Sequence, residues 1–189
     1  MGGRAGPRAA LSRGWPGTAP LANPPYDPRV GEPDGAPDLE LTRVMAAPAA
    51  AIWAAWLDPS AVAAWWGPDG FTSTVRLLEL RDGGRFEVVM HSPDGTDYEN
   101  LYLFDEVRPT RGLTYVHQGS EEWGLGPSRT VVLLDEDEAL PRRTRVTMRT
   151  SYASDEDRRR HLEDFHAADG ARQLLERLER VATSGRRAR

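Results

Sequence analysis

Residues 58–68 read Asp58-Pro59-Ser60-Ala61-Val62-Ala63-Ala64-Trp65-Trp66-Gly67-Pro68. This stretch predicts a short helix with punctuation at both ends. Asp58 serves as its cap, Pro59 sits in the first turn where a missing N–H costs nothing, and Gly67-Pro68 stops it. Trp65 and Trp66 occupy the last turn, and Trp53 and Trp56 lie just upstream. Rings of this size need a surface to bury against. Pro48 predicts the first residue of an earlier helix running to Leu57, with Ile52, Trp53, Trp56 and Leu57 at helical spacing. Two short helices joined by one Asp-Pro corner cannot form a bundle alone. They are expected to plug the mouth or edge of a sheet.

The flanking sequence predicts that sheet. Leu39 to Met45 opens with alternating apolar and polar residues, as a strand does. From Phe71 onward the period is two again, with strands expected at about 71–80, 84–91, 97–107, 112–118, 129–135 and 144–152. Turn chemistry separates them: Arg81-Asp82-Gly83-Gly84, Pro93-Asp94-Gly95, Pro109-Thr110-Arg111-Gly112, and the acidic Asp135 to Glu138 followed by Pro141. Connections this short imply an antiparallel meander. Phe86, Val88 and Met90 share one face of their strand, as do Val146 and Met148 of theirs, so one sheet face is buried and the other wet. In strand 97–107, Tyr98, Asn100, Tyr102 and Phe104 share the inner face, but Leu101 and Leu103 make the outer face apolar too. A second subunit or a neighbouring loop is expected to cover it.

Ser154 caps a final helix whose first turn, Asp155-Glu156-Asp157, suits the positive end of the helix dipole. Read as one helix to about Thr183, with Gly185 as terminator, it spans roughly 43 Å. Its stripe is Leu162, Phe165, Ala168/Asp169, Leu174/Leu175, Leu178 and Val181. Asp169-Gly170 interrupts the stripe, which reads as a kink, a close backbone approach or a tolerated glycine. The expected class is α+β in the helix-grip arrangement: a curved antiparallel sheet, two short helices and a long C-terminal helix enclosing a cavity.

Composition sets outer limits. The chain has 189 residues, no cysteine and no lysine. Residues 1–37 are rich in Pro, Gly and Arg without periodicity and are expected to be a disordered extension; 38–184 form the domain; 185–189 are a basic tail. Residues 38–184 carry 17 arginines against 26 acidic residues, an acidic balance that argues against a nucleic-acid partner. No apolar run is long enough for a membrane span. Without cysteine, disulfides and thiolate metal sites are excluded, and a cytoplasmic location is the expectation.

Ala47-Pro48 with Ile52-Trp53, then Asp58-Pro59, then Trp65-Trp66-Gly67-Pro68 with Gly70-Phe71, together resemble the activator of heat-shock-protein-90 ATPase homologue family of the START-like, or SRPBCC, superfamily. Asp82-Gly83-Gly84-Arg85-Phe86, Pro93-Asp94-Gly95, Tyr98 with Asn100, Val107 with Pro109, and Leu113-Thr114-Tyr115 extend the resemblance over about residues 39–183. It implies a sheet wrapped around the helix and an apolar cavity for a small hydrophobic molecule. It also implies two alternatives: a co-chaperone-like interaction module tied to stress response, and a cyclase- or hydratase-type enzyme. The sequence departs from the family pattern in having Tyr102 where the family often has Gly, and Ala171 where it often has an aromatic residue.

The four histidines offer no metal-ligand spacing: His161 and His166 are five apart on a helix, not four. Neither a metal nor a cofactor is expected. His117 follows Leu113 and Tyr115 on one strand face, so it points inward, and Asp169 falls on the helix stripe; either is a candidate acid or base. Trp123 is a candidate lid. Expected to line the cavity are Trp56, Trp66, Phe71, Phe86, Val88, Met90, Tyr98, Asn100, Tyr102, Phe104, Tyr115, His117, Trp123, Val146, Met148, Leu162, Phe165 and Asp169. Trp65, about 100° from Trp66 around the helix, must point elsewhere. The expected partners are a small hydrophobic molecule and either a second copy of the chain or a chaperone.

Overall fold

The computed structural model describes residues 37–136 and 142–184. The N-terminal extension, the turn at Pro141, Gly185 and the basic tail lie outside the described residues. Seven strands form one antiparallel sheet: β1 (Leu39–Met45), β2 (Thr72–Leu78), β3 (Arg85–His91), β4 (Asp97–Arg108), β5 (Gly112–His117), β6 (Ser128–Glu136) and β7 (Thr144–Tyr152). Their order is β1-β7-β6-β5-β4-β3-β2. Strands β2 to β7 are therefore the expected meander, and β1 pairs back onto β7. Register shifts between Val75 and Leu77 and between Phe104 and Glu106 mark bulges, which add local bend and twist to the sheet.

The helices α1 (Ala49–Leu57) and α2 (Pro59–Trp65) carry the chain from one sheet edge to the other. Asp58 caps α2 by accepting from the Ser60 backbone N–H and hydroxyl, both at 2.8 Å. Pro48 is the N-cap of α1 with extended backbone, not its first helical residue. Leu57 does not join the buried face. It is 59% exposed at the last turn of α1, where the chain leaves for the corner.

The C-terminal helix differs from the expected single rod. A short α3 (Asp155–Arg159), capped by Ser154, runs into a π-helical turn at Arg160–Asp164, closed by the Phe165 N–H on the Arg160 carbonyl. His166 then takes a left-handed φ of 50°, and α4 (Ala167–Ser184) begins. At 1.5 Å per residue α4 spans about 27 Å. The break thus precedes Asp169-Gly170. Gly170 lies inside α4, and a Cβ there would meet only the Pro68 Cβ at 3.9 Å, an ordinary contact. The inserted π residue resets the helical phase. Asp169, placed on the stripe by an uninterrupted helical wheel, is in fact exposed and paired with Arg172.

One face of α4 seats Leu175, Leu178 and Ala182 in the core. A second face holds the corner 64–71. The Arg177 guanidinium donates to the carbonyl oxygens of Ala64 (3.1 Å), Gly67 (3.1 Å), Pro68 (2.6 Å) and Phe71 (3.2 Å). Gln173 accepts from the Asp69 N–H at 2.9 Å. On the other flank, Glu179 accepts from the Ala46 N–H at 3.0 Å and from Arg43 at 2.7 Å. Arg177→Met, which keeps the stem and removes every donor, is expected to lower unfolding free energy by about 2–3 kcal/mol. Arg177→Lys should recover less than half of that loss, because an ammonium cannot span four carbonyls. Urea denaturation of the three proteins checks both.

Candidate functional site

Strand register builds the floor of the site. One inward row runs Phe86–Tyr102–His117–Ser128–Tyr152 across β3 to β7. The next runs Phe104–Tyr115–Thr130–Thr150–Leu39 from β4 to β1. Where α1, α2 and the C-terminal half of α4 cover the sheet, the interior is packed. Trp56 sits there, with ring centroids 4.7 Å from Trp65 and 5.7 Å from Trp66. Trp65 is fully buried and donates its indole N–H to the Ala55 carbonyl at 3.0 Å. At the other end α4 faces the floor with the small residues Ala167, Gly170 and Ala171, together with Leu174, and a cavity of about 510 Å³ remains.

The lining sorts the expected residues. Trp66, Phe71, Met90, Tyr98, Asn100, Tyr102, Tyr115, His117, Trp123, Met148 and Phe165 border the cavity. Trp56, Phe86, Val88, Phe104 and Val146 are buried in the hydrophobic core and do not reach it. Leu162, on the π-helical turn, is half-buried away from the lining, and Asp169 faces solvent. Tyr102 and Ala171, the two family departures, both border the cavity. The sequence reading missed Ser128, Thr130, Thr150, Tyr152 and His161, which border it too. Period-two alternation would have found four of them, because Thr150 and Tyr152 continue the Val146–Met148 face and Ser128 and Thr130 lie opposite. His161 had no such signal, since the π turn alone brings it inward.

The roof consists of two segments tied to one another. In the loop 118–127, Trp123 lies over Tyr98 with ring centroids 4.7 Å apart, and Tyr98 in turn lies 6.0 Å from Phe71. From the α3 and π-helical segment, Arg160 donates to the Gly124 carbonyl at 2.7 Å. Asp157 accepts from the Gly126 N–H at 2.9 Å, and His161 Nε2 donates to the Gly126 carbonyl at 3.3 Å. Trp123 therefore belongs to a lid-like loop at the mouth.

Polar groups on the floor are few. Thr130 and Thr150 hydroxyls pair at 2.9 Å. Burial pushes the Tyr102 and Tyr115 phenols well above the ordinary tyrosine range, and pushes Tyr152 up to about 12. His117 is 7% exposed, and its Nε2 has no hydrogen-bond partner. Its ring lies 5.0 Å from Tyr102 and 6.3 Å from His161, centroid to centroid. Burial, with the neighbouring His161 second, lowers its pKa to about 4. His117 is thus a neutral imidazole with no carboxylate to activate it, suited to one hydrogen bond. His117 and Asp169 do not converge on a common point. Among the described residues no three His, Asp or Glu side chains gather as metal ligands, and no helix is long and apolar enough to cross a membrane.

Residues 46–183 match the sequence profile of the family described as Activator of Hsp90 ATPase homolog 1-like protein. The chain belongs to this family. Solved structures similar to this AHSA1-like domain include a protein of Arthrobacter aurescens, with 26% identity and a TM-score of 0.68 over 77% of this chain and 85% of that one. A Mycobacterium smegmatis protein is 27% identical with a TM-score of 0.65, over 75% and 88%. A Silicibacter pomeroyi protein named AHSA1, at 18% identity and a TM-score of 0.58 over 75% and 94%, shares the fold. No curated protein matches the sequence.

The buried neutral His117 makes the stability of this AHSA1-like domain pH-dependent in one direction. The unfolded chain takes up a proton near pH 6.5, and the folded chain resists it until about pH 4. Stability is therefore full above pH 6.5 and falls as pH drops through that window, by about 2 kcal/mol at pH 4.5. His117→Gln should lose less stability than wild type between pH 7 and 4.5 by that amount, read from urea midpoints at both values.

Proposed function

We propose that this domain binds a small, predominantly apolar molecule in the cavity between the sheet and the paired roof segments. The observation that carries this reading is the cavity itself. Protein interiors are otherwise close-packed, and about 510 Å³ of aromatic-bordered space falls within the size range of small-molecule sites. The sparse polar groups on the floor fit an apolar guest with limited hydrogen bonding.

The other two expectations have less support. On the outer sheet face, the row Arg85–Leu103–Val116–Arg129 sets the apolar pair between two arginines. Their side chains are only 13% and 16% exposed, so their stems lie along that surface. Leu103 and Val116 are buried, and among the described residues the exposed large apolar ones are Val44, Leu57, Leu77 and Phe165. A co-chaperone-like docking surface around Leu101 and Leu103 therefore has no apolar patch to rest on. A cyclase or hydratase would need an activated acid–base group, and neither His117 nor Asp169 has that setting.

Ala171 borders the cavity from the first half of α4, and a ring there would enter the free volume. The uncharged dye Nile red is expected to bind wild-type protein saturably at one site, with a blue-shifted emission. Ala171→Phe should weaken that binding at least tenfold without lowering the thermal midpoint. Unsaturable binding, or equal affinity in the variant, would remove the cavity as the binding site.

A further inference from the structure

We propose that the cavity selects an uncharged, ring-bearing molecule with a single hydroxyl or amide group, and that His117 is the residue meeting that group. The inference rests on the ligand-binding reading and names the chemical class that the site admits.

Charge is the first argument. Among the described residues no arginine borders the cavity; the charged residues that do are Glu99 and Asp164, both acidic. The nearby Arg160 and Arg177 are committed to backbone carbonyls of the roof and the corner. A carboxylate or phosphate drawn inside would leave water without a counter-charge, at a cost of several kcal/mol. His117 does not supply that charge, since burial keeps it neutral and a second imidazole adjoins it. Fatty-acid anions and phosphorylated metabolites are thereby disfavoured.

Unmet hydrogen bonding is the second argument. Thr130 and Thr150 pair with each other. His117 is more than nine-tenths buried, its ring borders the cavity, and its Nε2 has no partner; that atom is itself enclosed, so a guest meets it only as the ring turns. The other described side chains with buried unpartnered nitrogens, Arg85 and Arg129, lie on the outer face of the sheet. An unmet polar atom beside an apolar cavity is where a guest gains most from one matching group, and where a guest lacking that group loses most. Ring shape is the third argument. From the mouth inward the walls present Trp123, Tyr98, Phe71 and Trp66, and Tyr102 adjoins the His117 ring. Aromatic faces and edges favour a flat conjugated guest over a flexible chain.

The test uses the full chain at pH 7.5 with three probes of one shape: 2-naphthol, naphthalene and 2-naphthoate. Binding is followed by quenching of tryptophan fluorescence, with Nile red displacement as a second readout. Wild type should bind 2-naphthol at least tenfold more tightly than either of the others. His117→Leu should abolish the preference for naphthol over naphthalene while still binding naphthalene. His117→Gln, which keeps a hydrogen-bonding group, should retain part of the preference and serves if the leucine variant does not fold. Equal binding of naphthol and naphthalene, naphthoate binding as tight as naphthol, or an undiminished preference in His117→Leu would each overturn the proposal. Saturable Nile red binding with no binding of the naphthalene series would overturn the ligand class and leave the cavity reading standing. Failure of Nile red as well would remove both.

Discussion

The helix α2 ends in a corner that cannot satisfy its own backbone. Trp66 turns extended, Gly67 adopts a positive φ, and Pro68 has no N–H to offer. The carbonyls released there need donors from elsewhere in the chain. One guanidinium, from Arg177 on α4, reaches the carbonyls of Ala64, Gly67, Pro68 and Phe71. The arrangement fixes more than the corner. Trp66 is held with its ring toward the Phe86–Tyr102 pair, at 4.8 and 5.2 Å, and Phe71 is set at the cavity mouth. Because α4 also grips the end of β1 through Glu179, a single helix fastens both ends of the α1–α2 link that joins the sheet edges. The Trp-Trp-Gly-Pro signature and Arg177 are therefore one structural unit, although more than a hundred residues separate them in sequence.

This fastening divides the interior into two unlike halves. Beneath α1, α2 and the C-terminal half of α4, side chains such as Ile52, Trp56, Phe104, Val146 and Leu178 are buried and mutually packed. Beneath the loop 118–127, the π-helical segment and the small residues that open α4, the sheet floor is left unfilled. The roof there is secured by backbone carbonyl and amide contacts from Arg160, Asp157 and His161. A continuous C-terminal helix would have carried its apolar stripe over that floor. The π turn and the left-handed His166 instead send the chain across its rim.

The sequence made most of this legible, because the signals were local. Alternation marked the strands, and Asp58-Pro59 and Gly67-Pro68 bracketed α2 by capping chemistry. What it hid was non-local. Residues 155–160 are all charged, so no periodic stripe reports where the helix turns, and contacts with a loop some thirty residues earlier decide it. A π insertion also breaks the helical wheel: positions before and after Phe165 cannot share one phase. That is why Asp169 was expected inward and lies outward. On the floor, most residues with apolar or aromatic character were found, Tyr152 and Leu39 excepted, while Ser128, Thr130 and Thr150 passed as ordinary strand residues. A small hydroxyl side chain in a β-strand looks the same in sequence whether it faces water or a cavity.

The division of the interior also separates two kinds of mutational risk. Removing a side chain from the packed half creates a void and forfeits contacts on every side. A residue on the cavity wall already lacks neighbours on one side, so exchanging it for a larger or smaller one disturbs the fold less. Such an exchange alters the shape of the space directly. Tyr102 and Ala171 both lie on that wall. Single substitutions on that wall thus reshape the cavity, while the Arg177-fastened half keeps the architecture constant.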